Sequence, residues 1–279
     1  MIQSIVWNCD PEIFTIGNWG LRYYSLCWLI GFALGYYFVK KIFIEENLNL
    51  KYLESLLVYV CIGAFAGARL GHCIFYDWQY YSHNIIEIIL PVKFSPEGVR
   101  FIGYAGLASH GGAIGVIIAL AIFCRKHKWQ VLSLCDKLGF VAPLAGAFIR
   151  IGNFFNSEIV GAPTATAWGV VFQRVDTIPR HPAQLYEAAI YLLIFIILSF
   201  VYQYKKEHKF KDGGIFGLSI TLIFVSRFII EYYKEVQEPF EIGLQDFIGL
   251  DMGQLLSIPF MFVGLYFTIR AIQFPKRGN

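Results

Sequence analysis

The chain has 279 residues, of which 57% are hydrophobic, 18% aromatic and 15% charged, and its formal net charge is +3. Soluble domains carry about 25% charged residues, so this composition excludes an ordinary soluble protein and implies an integral membrane protein. The small net charge gives no electrostatic footprint for nucleic acid. The cysteines Cys9, Cys27, Cys61, Cys73, Cys124 and Cys135 show neither CxxC nor metal-ligand spacing, so neither a disulfide framework nor a metal site is expected.

Apolar stretches long enough to span, at about 20 residues per crossing, are predicted at Trp19–Val39, Leu53–Tyr76, Phe101–Cys124, Val131–Phe155, Ala183–Gln203, Gly214–Tyr233 and Met252–Ala271. The N-terminus lacks the basic region, apolar run and cleavage site of a signal peptide, so the first of these is expected to act as its own insertion signal. The second, third and fourth carry small residues at close spacing, as in Gly63-Ala-Phe-Ala-Gly67 and Gly111-Gly-Ala-Ile-Gly115. Such residues let helix backbones approach in lipid and place these helices inside a bundle.

Orientation follows from the basic residues. Lys40, Lys41 and Lys51 lie between the first two spans, Arg125, Lys126 and Lys128 follow the third, Lys205, Lys206, Lys209 and Lys211 follow the fifth, and Lys276 and Arg277 follow the seventh. The positive-inside rule then puts the N-terminus outside and the C-terminus in the cytoplasm. The predicted fold is an all-α integral membrane protein of seven transmembrane helices. Residues 1–279 form a single membrane domain with an outer arm at 77–100 and a small outer (periplasmic) cap inserted at 156–182. Both connections contain Pro, aromatic and β-branched residues and are expected to be ordered, with a short strand at Trp168–Phe172.

In this topology the polar residues of six helices share one outer layer. Arg22, Tyr23 and Tyr24 open the first span, and Arg69 and His72 lie in the outer third of the second. His110 is about 14 Å down the third at 1.5 Å per residue. Arg150 and Asn153 end the fourth, His181 and Glu187 open the fifth, and Arg227 and Glu231 lie in the outer part of the sixth. A charge near hydrocarbon costs about 2.5–3.5 kcal/mol on insertion scales, so each needs a partner or a task. Arg150 could snorkel to the interface. Arg227 and Glu231 could pair at i,i+4. His110 could be a packed core residue, although His110-Gly111-Gly112 surrenders roughly 2 kcal/mol of helix propensity at its two glycines. Three arginines with Glu158 and Glu231 as the nearby acids suggest an anion site, and arginine's planar fork suits phosphate. An anion transporter is the rival reading. It would need polar residues along a path to both sides, and the cytoplasmic halves are apolar. No internal repeat supports it either.

The distributed motifs resemble the prolipoprotein diacylglyceryl transferase family. Arg150-Ile-Gly-Asn-Phe-Phe-Asn156 with Glu158 and Gly161 resembles its signature, and His110-Gly-Gly-Ala-Ile-Gly115 its histidine motif. Gly67-Ala-Arg-Leu-Gly71, Trp168–Phe172, His181–Glu187, Arg227–Glu231 and Met252–Ser257 resemble further family blocks in the family's order, and Tyr24 falls where the family has a tyrosine at the start of the first helix. The chain departs at Ser157, where glycine is usual, and at His72, Ala162, Lys234 and Glu235.

The resemblance implies transfer of the diacylglyceryl group of phosphatidylglycerol to the thiol of a lipobox cysteine in a prolipoprotein, forming a thioether and releasing glycerol phosphate, the first step of lipoprotein maturation. The implied partners are that phospholipid, signal-bearing prolipoproteins and the bacterial cytoplasmic (inner) membrane, with the active site toward the outer leaflet; no cofactor and no metal are implied. In this scheme His110 is the general base for the thiol, since histidine titrates near neutrality. Arg150 and Arg227 bind the phosphate and stabilise it as it leaves. Tyr24, Asn153, Glu158 and Glu231 orient the headgroup or support the arginines, and Gly161 permits a turn in the cap. Arg69 is a further substrate-binding candidate that could equally bridge helices.

Overall fold

A computed structural model describes residues 5–16, 19–90, 92–95, 98–101, 106, 108–207, 211–235 and 249–273. In chain order the described elements are β1 (Ile5–Trp7), β2 (Glu12–Ile16), β3 (Trp19–Arg22), α1 (Tyr23–Glu45), α2 (Leu50–Phe75), α3 (Trp78–Tyr81), α4 (Ile85–Ile89), β4 (Val92–Ser95) and β5 (Gly98–Phe101). There follow α5 (Ser109–His127), α6 (Val131–Phe155), β6 (Val170–Phe172), β7 (Pro179–Arg180), α7 (Ala183–Glu207), α8 (Gly214–Glu231) and α9 (Met252–Gln273). Among the described residues six helices, α1, α2, α6, α7, α8 and α9, are long and apolar enough to cross a membrane. Their outer faces are apolar: Leu29 and Ile62 are exposed by 66% and 64%, Phe200 and Phe262 by 72% and 68%. So much exposed hydrocarbon has no place in water, and the chain is a multi-pass membrane protein.

Two expected spans shift. Trp19–Arg22 pairs as a strand with Glu12–Ile16, so the first helix begins at Tyr23 and runs on to Glu45. The third begins at Ser109 rather than Phe101, because Gly98–Phe101 closes a hairpin with Val92–Ser95. The protein is therefore not purely helical. Short strands occur in both connections, beside α3 and α4 in the first, and in the N-terminal segment, and the strand expected at Trp168–Phe172 covers Val170–Phe172.

The chain forms two compact units, residues 1–42 with 132–279, and residues 43–131. In the smaller unit α2 and α5 pack backbone to backbone. A Cβ on Gly67 would collide with the carbonyl of Gly111, and one on Gly115 with that of Gly63, the close approach that small residues permit in lipid. Asn49 caps α2 by accepting from Lys51 N at 3.0 Å. Lys128, in the left-handed region at φ 55°, ends α5 after the basic Arg125, Lys126 and His127, which suit the negative end of the helix dipole.

In the larger unit β1 runs parallel to β6, and β7 pairs antiparallel on the other side of β6. The sheet covers the end of α6: Phe154, Val170 and Phe172 form a buried cluster with Trp7 and Val160 packed on it. At the other end of α6, buried Asp136 receives Lys205 Nζ at 2.6 Å, Gly213 N at 3.0 Å and Phe216 N at 2.9 Å. One carboxylate thus caps the start of α8 and neutralises the end of α7. The helices α8 and α9 meet at Gly217 and Gly264, where a Cβ on either would strike the other's carbonyl.

Candidate active site

The last turn of α6 and the loop after it carry a continuous polar ladder. Arg150 NH1 donates to Asn153 Oδ1 at 3.3 Å, Asn153 Nδ2 to Glu158 Oε2 at 3.3 Å, and Asn156 Nδ2 to Glu158 Oε1 at 3.1 Å. The i,i+3 spacing of Arg150 and Asn153 puts them on one helix face. Glu158 is brought back by a tight exit in which Ser157 and Ile159 adopt φ values of 55° and 56°. Left-handed backbone costs a residue with a Cβ about 1–2 kcal/mol, a cost this exit carries at both positions. The backbone carbonyl of Glu158 accepts from Gln184 Nε2 at 2.6 Å, tying the loop to α7.

Arg150 has a second partner. Its Nε lies 2.6 Å from Oε2 of Glu187, a fully buried carboxylate on α7. Oε1 of Glu187 is 3.1 Å from Lys234 Nζ, which is also 2.9 Å from Glu231 Oε2. Tyr191, one helical turn after Glu187, lies within electrostatic reach of Glu187, Arg150 and Arg227. Among the described residues Arg227 forms no ion pair with an acid, Glu231 included, and the alternative i,i+4 pair gives way to Lys234–Glu231.

Glu231 rests on the first turn of α9, where a Cβ on Gly253 would collide with its carboxylate. That turn is fixed by a reciprocal capping box: Gln254 N donates to Asp251 Oδ1 at 2.7 Å and Asp251 N to Gln254 Oε1 at 3.2 Å, satisfying helix-end donors. Gln254 Nε2 also reaches the carbonyl of Phe228 on α8 at 3.2 Å. The block Met252–Ser257 thus positions Glu231.

Gly161 does not make the expected turn. Its place is a sandwich, since a Cβ would strike the carbonyls of His181 and Tyr233, and it forms an antiparallel bridge with Lys234. Next to it Arg180 NH1 donates to the Gly161 carbonyl at 3.3 Å and to Glu235 at 2.8 Å. Hydrogen bonding from Arg180 holds the carboxyl of Asp176 below the usual range. Tyr24 packs on Gly152, where only a hydrogen leaves room for its ring. An open polar cavity of about 570 Å³ adjoins Asn156 and Glu158 and is walled by Asn8, Asp10, Glu12, Arg22 and Arg174.

In the smaller unit Arg69 is buried beneath the arm. It donates from Nε to Ile88 O at 3.1 Å and from NH2 to Glu87 O at 2.6 Å, and its guanidinium lies 4.9 Å from the Tyr81 ring centre. His110 is the second residue of α5, and its side chain lies outside the described residues. Sequence reasoning left Glu187, Lys234, Gln184 and Tyr191 out of the site. The motif around Glu187 was visible, but nothing local pairs it with Arg150.

A sequence model described as prolipoprotein diacylglyceryl transferase matches residues 11–270. The chain belongs to that family. A relative in Bacteroides fragilis, named phosphatidylglycerol–prolipoprotein diacylglyceryl transferase, is 45% identical over 96% of this chain and 95% of its own length. Relatives with the same name in Tolumonas auensis and Porphyromonas gingivalis are 42% and 41% identical, over 94% and 97% of this chain and 95% and 96% of theirs. Within this diacylglyceryl transferase family member, the signature from Arg150 to Gly161 is the polar ladder, and the His181–Glu187 block supplies the buried counterion of Arg150.

Proposed function

We propose that the chain transfers the diacylglyceryl group of phosphatidylglycerol to the lipobox cysteine of prolipoproteins. The match over residues 11–270 carries this reading. In the reaction a bond forms between the cysteine sulfur and the terminal glyceryl carbon. The bond from that carbon to the phosphate oxygen breaks, glycerol phosphate leaves with the electron pair, and the thiol proton passes to a base.

The site chemistry supports that assignment. The attacking species must be thiolate, and the departing phosphate needs fixed donors where its charge develops. Arg150, oriented by Glu187 and Asn153, and Arg227, without an acidic partner among the described residues, are assigned to the phosphate. Asn153, Glu158 and Tyr24 shape the headgroup pocket, Gly161 and Glu231 fix its rim, and His110 is the base. Arg69 is assigned to holding the arm, since its donors are taken by backbone carbonyls of Glu87 and Ile88.

The proposed topology has seven crossings. The 19-residue α5 is the third, its length at 1.5 Å per residue close to the roughly 30 Å of a bilayer core. The N-terminus, arm and cap lie outside the bacterial inner membrane, and the site faces the outer leaflet.

The test is to incubate the purified protein with phosphatidylglycerol vesicles and a lipobox peptide. A peptide mass increase equal to one diacylglyceryl group, with glycerol phosphate released, is expected. A folded protein that yields neither overturns the proposal. Labelling of a cysteine substituted for Lys206 by an impermeant reagent in intact cells would overturn the topology.

A further inference from the structure

Resting on the assignment of Arg150 to the phosphate, we infer that Lys234 and Glu187 are positioning residues that transmit the packing of the outer loop to Arg150. The chain of contacts is short and each link is fixed. Gly161 bridges the backbone at Lys234, Ala162 N donates to Tyr233 O at 2.8 Å, and no side chain fits at Gly161. The Lys234 backbone is therefore stitched to the loop while its side chain, 5% exposed, turns inward to two carboxylates.

Glu187, with no exposed surface, has Lys234 Nζ 3.1 Å from Oε1 and Arg150 Nε 2.6 Å from Oε2, ion-pair contacts in which neither oxygen accepts an aligned hydrogen bond. A buried carboxylate with two cationic partners divides its attraction between them. Remove Lys234, and the whole of that charge falls on Arg150. The guanidinium is then drawn toward α7 and offers less of its charge to a phosphate. Remove Glu187, and Arg150 loses its buried counterion while Lys234 keeps only Glu231, leaving Arg150 an uncompensated charge that is costly in a low-dielectric site.

Around this carboxylate Arg150 and Lys234 stand with Glu231, and Glu158 is held one step away through Asn153. Lys234 is thus the residue that keeps Glu187 from cancelling Arg150.

The test compares Lys234→Met, Lys234→Arg, Glu187→Gln and the double variant Lys234→Met/Glu187→Gln, with Arg150→Lys as the reference. Binding of phosphatidylglycerol in mixed vesicles, KM and kcat, and thermal stability are all measured. Lys234→Met is expected to raise the KM for phosphatidylglycerol about tenfold with a smaller change in kcat, and Lys234→Arg to restore it. The double variant is expected to bind at least fivefold better than Lys234→Met, because the unbalanced carboxylate is gone. A purely structural pair would lower stability in both single variants without this rescue or the KM-weighted effect. If Lys234→Met keeps the parent's KM while Arg150→Lys loses lipid affinity, the positioning role alone is overturned. If Arg150→Lys binds lipid like the parent, the phosphate assignment fails and the positioning role with it.

Discussion

The guanidinium of Arg150 and the carboxylate of Glu187 meet at 2.6 Å, and the carboxylate has no exposed surface. One residue ends α6 and the other opens α7, so two spanning helices are registered by a single ion pair. Asn153 holds a second edge of the same guanidinium at 3.3 Å. The guanidinium is thus held from two sides, the kind of fixed charge that the proposed phosphate contact needs.

Arg150→Lys is expected to reduce transfer about 100-fold or more with membrane insertion and stability retained. A lysine is a point charge and cannot serve Glu187, Asn153 and a phosphate in one plane. Transfer assays on the purified variant check this. A rate near the parent's would mean that Arg150 only reaches for the interface.

Arg227→Ala and Glu231→Ala are expected to separate. Glu231 has Lys234 at 2.9 Å and rests on the start of α9, so its loss lowers stability, by less than the roughly 3–5 kcal/mol of a fully broken buried pair, because Lys234 keeps Glu187 at 3.1 Å. Arg227 holds no acid among the described residues, so its loss removes transfer while thermal unfolding stays near the parent's. Parallel losses of stability in both variants would remove the substrate role from Arg227.

His110→Gln is expected to bind phosphatidylglycerol like the parent and to transfer slowly. Glutamine keeps some hydrogen bonding and cannot take the thiol proton. The residual rate should climb as pH passes the thiol's range near 8.5, because the peptide then ionises unaided. A variant with the parent's rate and pH profile would place the base elsewhere.

The arm is expected to loosen in acid. Glu87 is buried, which works against its charge. The Tyr80 hydroxyl at 2.6 Å, the Phe94 amide at 2.8 Å, and nearby Lys93 and Arg69 still hold its pKa below the usual carboxylate value. A carboxylate with a depressed folded pKa adds stability above its unfolded pKa and loses it as pH falls through the folded one. Tyr80 is pushed up to about 12, chiefly by its bond to Glu87, so its contribution is complete below its unfolded pKa of about 10 and is lost as pH rises through the folded value. Hydrogen exchange at residues 92–95 should therefore stay slow from neutral pH down to about 4.3 and accelerate below it, after correction for intrinsic rates. In Glu87→Gln the acid step should vanish. An unchanged acid step in that variant would assign it to another group.

Asp136→Ala is expected to lower stability by about 3–5 kcal/mol. The carboxylate neutralises Lys205 and caps α8 through Gly213 and Phe216. It lies some 21 Å along α6 from Arg150 at 1.5 Å per residue, so the KM for phosphatidylglycerol should hold in protein that remains folded. A large KM change at unaltered stability would contradict this purely structural role.

The sequence by itself determined what depends on near neighbours. Span lengths and apolarity are sums over about 20 residues, and α2, α6, α7, α8 and α9 lie close to where hydropathy puts them. The grouping of Arg150, Asn153, Asn156 and Glu158 was equally visible, because i,i+3 geometry and a short loop keep them together, while the hydrogen bonds that link them came with the structure. The tertiary structure decided the partners. β1 pairs with β6 some 165 residues away, at Ile5 and Val170, and no hydropathy pattern encodes a parallel pairing across that distance. Arg69 spends its donors on the carbonyls of Glu87 and Ile88, and since every residue has a carbonyl, the sequence could not single those out. Gly161 suggested a turn, yet it is required because two other backbones close on it. Whether Glu187 faces Arg150, and Lys234 faces Glu187, depends on the rotation of α7 and α8 about their axes. That rotation is set by packing over whole helix faces, which only the folded chain contains.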